Sequence, residues 1–357
     1  MIGTYIKGSK VINEQMSCSY INLSTSDSLG SIGTYNIRKP LVLLKILLKL
    51  FKALLTAKFD VCYMTLTSNG SGFYKDMLIV FILKLFNNNI IYHFHNKGVA
   101  AFSKNPLNNF LYKVCFKNTC SLLISEKLYT DIAKYVDAIN VFYCPNGIPE
   151  NKNSLFNMER IKPQKPCNLL FMSNMMAEKG VYVLLEACKL LRGNGLDFKC
   201  HFVGAWSDVT EKDFNHAASK MGVTDRVFAH GSRYNEEKSR FFIDADIFVF
   251  PTYYHNECFP LVLLEALSYG LPIVTTPEGG ISDIVIEQQN GFLVQQRDVA
   301  QLAGQLELLI NQLDLRLQMG KAGYLHFKNH FTSNKFENKL LDILTAMSDK
   351  QRNQHAG

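Results

Sequence analysis

Short apolar runs alternate along the chain with longer stretches whose apolar residues have helical spacing. Strands are predicted at 61–66, 90–94, 121–124, 140–144, 168–172, 198–203, 227–230, 246–250 and 271–276. Helices are predicted at 73–86, 107–116 and 181–191, with a final helical region at 299–346 whose last helix begins at Thr332 or Ser333. Strands separated by helices of this length are typical of βαβ units and parallel sheets. The pattern therefore predicts two α/β domains in tandem.

A polar stretch from Glu150 to Pro166 interrupts this pattern and is the predicted domain boundary. We expect an N-terminal domain at 1–149, a linker at 150–166 and a C-terminal domain at 167–330. Residues 331–357 are predicted to form a C-terminal helix and a polar tail that could cross back to the first domain.

One predicted helix, Pro40 to Leu55, is apolar around most of its circumference. Its three lysines, Lys45, Lys49 and Lys52, fall on a stripe about 60° wide. Three lysines argue against a membrane-spanning helix. Two interpretations remain open: a core helix with one edge in water, or a helix that dips into a membrane interface.

The net charge of +7 is unevenly distributed. Residues 1–149 contain 16 Lys and Arg against 7 Asp and Glu, a balance of +9, and the remainder contains 22 against 24, a balance of −2. This asymmetry points to an anionic partner for the first half, either nucleic acid or an acidic membrane surface. Nine cysteines lie singly, without a C-x-x-C pair, which argues against a zinc site or a disulfide framework. Together with an N-terminus that lacks the apolar core of a signal peptide, they predict a cytoplasmic protein.

The segment 251–272 carries the most informative pattern. A buried strand ends at Phe250, Pro260 suits the first turn of a helix, and Gly270 ends that helix. The helix N-terminus would then lie at the carboxyl edge of a parallel sheet, where free N–H groups and the helix dipole favour a phosphate. Glu257 precedes this helix and Glu265 lies within it, and carboxylates beside a phosphate site suit sugar and ribose hydroxyls.

This segment resembles the E-x7-E motif of retaining glycosyltransferases of family 4, with Glu257 and Glu265 as the two acids. The resemblance extends through Pro272–Ile281, Asn290–Val294 and Glu178–Val181, and covers most of residues 168–295. It implies the GT-B fold, in which two Rossmann-like domains with parallel sheets face each other across a cleft. By resemblance, Glu265 would hold the ribose of a nucleotide-sugar donor and Glu257 the transferred sugar. The backbone at Phe259, Pro260 and Leu261 would hold the diphosphate.

Lys179 fits the same site, because it follows the 168–172 strand and opens the next helix at the carboxyl edge of the sheet. Its ammonium would stabilise the leaving nucleoside diphosphate. The sequence departs from the family at Ser173 and Asn174, where a Gly-Arg pair is usual. Both remain expected donor-binding residues, and Arg233 is a candidate for the missing cation.

In the first half, His95 follows the 90–94 strand and matches a family histidine that contacts the donor, whereas His93 is expected to be structural. The family also begins with a strand and a glycine-rich loop, whereas this sequence opens with what resembles the following helix. Either the start codon lies upstream of Met1, or the first domain lacks its leading strand. We expect the former, because a parallel sheet without its first strand would expose an edge. Asp244 and Asp246 form a D-x-D pair, but the strand pattern around them argues against a metal site, and no metal is expected.

The resemblance to family 4 implies a metal-independent, retaining glycosyltransferase of hexosyltransferase type. It would use a UDP- or GDP-sugar and a glycan or lipid-linked oligosaccharide acceptor in surface polysaccharide biosynthesis. The lysine-bearing helix favours peripheral attachment to the inner face of the plasma membrane, and nucleic acid is not an expected partner. Two alternatives remain: a catalytically inactive partner that binds nucleotide-sugars, and a GT-B sugar-nucleotide epimerase.

Overall fold

The computed structural model describes residues 2–25, 38–86, 89–150 and 166–356, which form two compact units. The first unit comprises Met1–Pro145 and Phe336–Gly357, and the second comprises Asn146–Lys335. The predicted linker at 150–166 lies outside the described residues except at its two ends. The domain boundaries given above therefore stay predictions.

The first unit is built on a four-stranded sheet in which all neighbouring strands are parallel. In order across the sheet, the strands are β1 (Cys62–Thr65), β2 (Ile90–Phe94), β3 (Cys120–Leu123) and β4 (Val141–Tyr143). The helices are α1 (Ile2–Gly8), α2 (Lys10–Gln15), α3 (Arg38–Thr56), α4 (Gly70–Phe86), α5 (Val99–Phe102), α6 (Pro106–Phe116) and α7 (Tyr129–Ile132). Every residue of β2 is buried, as expected of an inner strand of a parallel sheet.

The second unit is built on a six-stranded parallel sheet with the order β10-β9-β8-β5-β6-β7. Its strands are β5 (Cys167–Met172), β6 (Phe198–Val203), β7 (Val227–Ala229), β8 (Ile247–Phe250), β9 (Ile273–Thr275) and β10 (Gly291–Leu293). Its helices are α8 (Val181–Gly193), α9 (Glu211–Met221), α10 (Asn235–Asp244), α11 (Leu261–Ser268), α12 (Ile281–Ile284), α13 (Val299–Asn311) and α14 (Leu313–His330). Because β8 pairs with both β5 and β9 in parallel, the loops that follow these three strands leave the sheet at one edge.

The last helix, α15 (Ser333–Ala356), begins at the predicted position, and the Thr332 hydroxyl accepts a hydrogen bond from the Lys335 N–H. From Phe336 onward this helix belongs to the first unit. There it contributes to a buried apolar cluster with Ile12, Ile91 and Leu122.

The predicted α/β class with parallel sheets is confirmed. Helices α5, α7, α9, α10 and α12 and strand β10 were not predicted. Helix α3 turns Ile46 and Leu50 into the core, whereas Leu44 and Leu48 are 53% and 60% exposed. Among the described residues, no helix is both long enough and apolar enough to cross a bilayer.

Candidate functional site

The loop between β5 and α8 packs closely against the loop that follows β8. Gly180 has φ +93°, and a Cβ at this position would overlap the Pro251 carbonyl oxygen. Hydrogen bonds from the Tyr253 N–H (2.8 Å) and the Thr252 hydroxyl (3.3 Å) to the Glu178 carbonyl oxygen tie the two loops together. Glycine is therefore needed at position 180 both for its backbone conformation and for this close approach.

This close approach brings Lys179 and Glu257 together. The Lys179 ammonium donates a hydrogen bond to the Glu257 carboxylate, and their side chains are only 14% and 11% exposed. The ammonium also lies 4.5 Å from the centroid of the Tyr254 ring and 5.6 Å from that of Phe250. At these distances both rings add a cation–π attraction. Two residues that the sequence assigned to one site are thus in direct contact.

The helix predicted to begin near Pro260 is α11, for which Pro260 is the N-cap with φ −70°. Phe259 is buried, and Leu261 is 41% exposed. Gly279 packs against the backbone that precedes this N-terminus. Its φ is +56°, and a Cβ added at this position would overlap the Glu257 carbonyl oxygen. The next residue, Gly280, donates its N–H to the Cys258 carbonyl oxygen at 2.6 Å. The two glycines of the G-G pair therefore position the backbone just before α11.

Glu265 lies in α11 and forms an ion pair with Lys238 of α10. The Lys238 ammonium is 2.6 Å and 2.7 Å from the two carboxylate oxygens, and the side chains of Lys238 and Glu265 are 32% and 28% exposed. Lys238 was not predicted as a site residue, because α10 was not predicted and nothing in the local pattern links α10 to α11. Each predicted acid is thus neutralised by a lysine, which lowers its repulsion of a nearby phosphate.

The three remaining expected donor-binding residues have different surroundings. Ser173 is partly buried and donates its N–H to the Val203 carbonyl oxygen, whereas Asn174 is exposed. Arg233 follows β7, and its guanidinium contacts the Ser232 carbonyl oxygen at 2.9 Å and Glu237 at 3.7 Å. These contacts leave Arg233 engaged with its own loop and with α10. Its role as a second phosphate ligand stays a prediction.

His95 follows β2 in the first unit, and its ring lies 4.0 Å from that of His93. Burial lowers the pKa of His95 to about 4, so its imidazole is neutral at physiological pH. His93 is fully buried and shares a 2.6 Å hydrogen bond with the Tyr63 hydroxyl. The donor role of His95 stays a prediction.

The residues after His95 are fixed by Asp131. Its carboxylate accepts hydrogen bonds from three consecutive backbone N–H groups, those of Gly98 (2.8 Å), Val99 (3.0 Å) and Ala100 (3.0 Å). Asp131 is thus a side-chain anchor for the loop between β2 and α5 that sequence reasoning also missed.

The D-x-D pair at 244–246 has a structural role in the described fold. The Asp246 carboxylate accepts a 2.8 Å hydrogen bond from the backbone N–H of Asn168, at the start of β5. Burial raises the pKa of Asp246. This carboxylate therefore links the starts of two paired strands.

Solved structures with a similar arrangement of elements include a glycosyltransferase. A glycosyltransferase from Rickettsia africae superposes with a TM-score of 0.69 at 17% identity, over 88% of this chain and 83% of that one. Anabaena HepE, solved in complex with UDP, gives 0.69 at 15% identity, over 85% of this chain and 82% of that one. Similarity at these identities shows the fold, and the predicted GT-B class is confirmed.

Curated relatives match part of the chain. The D-inositol 3-phosphate glycosyltransferase of Arthrobacter sp. is 34% identical over 166 residues, 46% of this chain and 39% of that relative. CapM of Staphylococcus aureus, a capsular polysaccharide biosynthesis glycosyltransferase, is 28% identical over 46% of this chain and 42% of its own length. AmsK of Erwinia amylovora, an amylovoran biosynthesis glycosyltransferase, is 30% identical over 49% of this chain and 44% of its own length. The matches thus span less than half of the length of these relatives.

A family-level match covers Lys179, Glu257 and Glu265. The sequence profile described as "Glycosyl transferases group 1" matches residues 147–326, half of the chain. The chain therefore belongs to the glycosyl transferases group 1 family.

Proposed function

We propose that this protein transfers a sugar from a UDP- or GDP-sugar to a glycan acceptor, with retention of configuration at the transferred carbon. The observation that carries the proposal is the contact between Lys179 and Glu257 beside the N-terminus of α11. The ammonium and the first-turn N–H groups of α11 can bind the two phosphates of the donor. The Glu257 carboxylate is left to accept hydrogen bonds from hydroxyls of the transferred sugar.

The pair of Glu265 and Lys238 suits the ribose end of the donor. Each carboxylate oxygen has two lone-pair directions, and Lys238 uses one on each oxygen, so each can still accept a hydrogen bond from a ribose hydroxyl. Lys238 also offsets the negative charge that Glu265 would otherwise present to the diphosphate. We therefore assign Lys238 as a positioning residue for the donor.

In the proposed reaction, the bond between the sugar C1 and the β-phosphate oxygen breaks, and the acceptor hydroxyl oxygen forms the new bond to C1. The hydroxyl proton leaves with the nucleoside diphosphate. Negative charge grows on the departing phosphate, where the Lys179 ammonium and the α11 N–H groups would stabilise it. Because these groups supply positive charge, the proposed transfer needs no metal ion.

The biological setting is part of the same proposal. The similarity to CapM, a capsular polysaccharide biosynthesis glycosyltransferase, and to AmsK, an amylovoran biosynthesis glycosyltransferase, supports a role in surface polysaccharide biosynthesis. The proposal also includes a lipid-linked oligosaccharide acceptor and membership of family 4. It further includes a cytoplasmic location with peripheral attachment to an anionic membrane. The excess of positive charge in residues 1–149 supports that attachment.

The test begins with thermal shifts in the presence of UDP, GDP and ADP, which select the base. Release of the nucleoside diphosphate from matching nucleotide-sugars is then measured, with and without glycosides as acceptors. We expect Lys179→Met and Glu257→Gln to lower kcat about 100- to 1,000-fold, since each removes a charged group from the reacting centre. Lys189→Met, an exposed lysine on α8, is the matched control and should keep full activity.

One outcome would replace the proposal with the inactive-partner alternative. The wild-type protein would then show a thermal shift with a nucleotide but release no more product than Lys179→Met. An unchanged rate in both Lys179→Met and Glu257→Gln would remove the assigned site altogether.

A further inference from the structure

The first unit exposes an apolar stripe along α3. Its members are spaced alternately by three and four residues, which places them on one side of a helix. They are Leu41 (60% exposed), Leu44 (53%), Leu48 (60%), Phe51 (42%) and Leu55 (62%). Large side chains exposed in such a continuous row are unusual on the surface of a soluble protein.

Two neighbouring helices extend this stripe into a surface. Helix α4 exposes Tyr74, Leu78, Phe81 and Leu85, and α6 exposes Leu107 and Phe110. A ring contact between Phe51 and Phe86, with centroids 5.3 Å apart, joins α3 to α4. A 2.7 Å hydrogen bond from the Tyr74 hydroxyl to Asn108 joins α4 to α6. These eleven exposed residues of α3, α4 and α6 are called the apolar face below.

The charge around the apolar face is positive. Lys45, Lys49 and Lys52 are exposed along α3, and Lys113 is exposed on α6. The sequences of the three helices contain a single acidic residue, Asp76, which is 2% exposed and accepts a 2.9 Å hydrogen bond from the Thr67 N–H. An apolar surface bordered by lysines, without an exposed acid, is complementary to a membrane that carries negative headgroups.

We propose that the apolar face docks onto an anionic phospholipid bilayer, with its leucine and phenylalanine side chains at the depth of the headgroups and its lysines against the phosphates. This inference rests on the peripheral attachment in the proposed function and names the surface responsible. A second copy of the chain fits this face poorly, because a two-fold interface pairs the same patch with itself and the three helices offer no exposed acid to pair with the lysines. A bilayer instead supplies both the apolar layer and the negative charge.

The test measures co-sedimentation of the purified full-length protein with vesicles. One set is pure phosphatidylcholine, and the other contains about a third phosphatidylglycerol. We expect binding to the anionic set only, weakening as salt is raised. The charge variant carries Lys45→Gln, Lys49→Gln and Lys52→Gln. Its matched control carries Lys189→Gln, Lys212→Gln and Lys220→Gln, which are exposed on α8 and α9.

We expect the charge variant to lose about a hundredfold in partitioning, since each lysine near an anionic surface contributes about 1 kcal/mol, whereas the control keeps wild-type partitioning. The apolar variant, Leu44→Ser with Leu48→Ser, should lose about tenfold or more. Its control, Leu190→Ser with Leu325→Ser, replaces leucines that are 42% and 49% exposed in the second unit and should have no effect.

Release of nucleoside diphosphate from the donor, measured without vesicles on the same variants, separates this inference from the proposed function. Full release with wild-type partitioning in both test variants would overturn the docking surface alone. Equal binding to the two vesicle sets would also overturn it. So would a vesicle-independent dimer that the apolar variant abolishes, since a second copy would then cover the apolar face.

Discussion

Replacing Gly180 with alanine tests the close approach that positions Lys179. The backbone at 180 has φ +93°, and an added Cβ would overlap the Pro251 carbonyl oxygen. A positive φ costs an alanine about 1–2 kcal/mol. Relieving the overlap by moving a buried loop adds about 1–3 kcal/mol. We therefore expect Gly180→Ala to lower the free energy of unfolding of the second unit by about 2–5 kcal/mol.

Gly195→Ala is the matched control, because this glycine has φ +73° and open space where the Cβ would lie. It should lose only the conformational part, about 1–2 kcal/mol. The protein has a single tryptophan, Trp206, which lies in the second unit, so urea unfolding followed by its fluorescence reports on this unit. The difference between the two variants isolates the contribution of the overlap.

Donor turnover adds a second measurement on the same pair of variants. Relief of the overlap moves the segment that carries Lys179, so kcat for Gly180→Ala should fall below that of Gly195→Ala where both are fully folded. The reasoning is refuted if Gly180→Ala is no less stable than Gly195→Ala. In that case the approach of the two loops would have no energetic importance.

Two further predictions concern the first unit. Burial lowers the pKa of His95 from about 6.5 in the unfolded chain to about 4. Below pH 6.5 the unfolded chain binds a proton at His95 that the folded protein does not, so the folded protein loses stability as pH falls from 6.5 towards 4. Between pH 6.5 and pH 4, the free energy of unfolding of His95→Gln, measured in urea, should fall by about 3 kcal/mol less than that of the wild type. Equal falls in the two proteins would contradict this prediction. Asp131→Asn should cost about 1–2 kcal/mol in the same assay, because one carboxylate oxygen that accepts backbone N–H groups of 98–100 is lost. Asp137→Asn, a cap position without a side-chain hydrogen bond, should cost little, and an equal loss in both variants would argue against the anchor.

The charge arrangement of the second unit differs from that of a simple cationic phosphate site. The two acids of the E-x7-E pattern each have a lysine partner, Lys179 for Glu257 and Lys238 for Glu265. The two pairs are neutral overall, so the helix dipole adds to the positive charge that Lys179 would offer the donor phosphates. This arrangement is consistent with a proposed donor that presents both negative phosphates and hydrogen-bond donors.

The sequence by itself determined nine of the ten described strands and the class of fold. The runs at 90–94 and 198–203 coincide with β2 and β6, and Pro260 and Gly270 bracket α11 within two residues. These features depend on local physics: apolar runs that are buried on both faces, a fixed φ at proline, and a left-handed conformation at glycine. Such features are determined by residues that are close together in the sequence.

Only the tertiary structure decided which groups meet and which apolar residues stay exposed. Lys238 and Glu265 are 27 positions apart, and Gly180 meets Pro251 from a different loop, so no local pattern could pair them. Helix α3 shows the same limit of sequence-based prediction. Apolar residues repeat with the same helical period whether their side of the helix is buried in a core or exposed to solvent. The neighbours that cover a stripe are set by packing between distant segments, and a linear pattern does not contain that information.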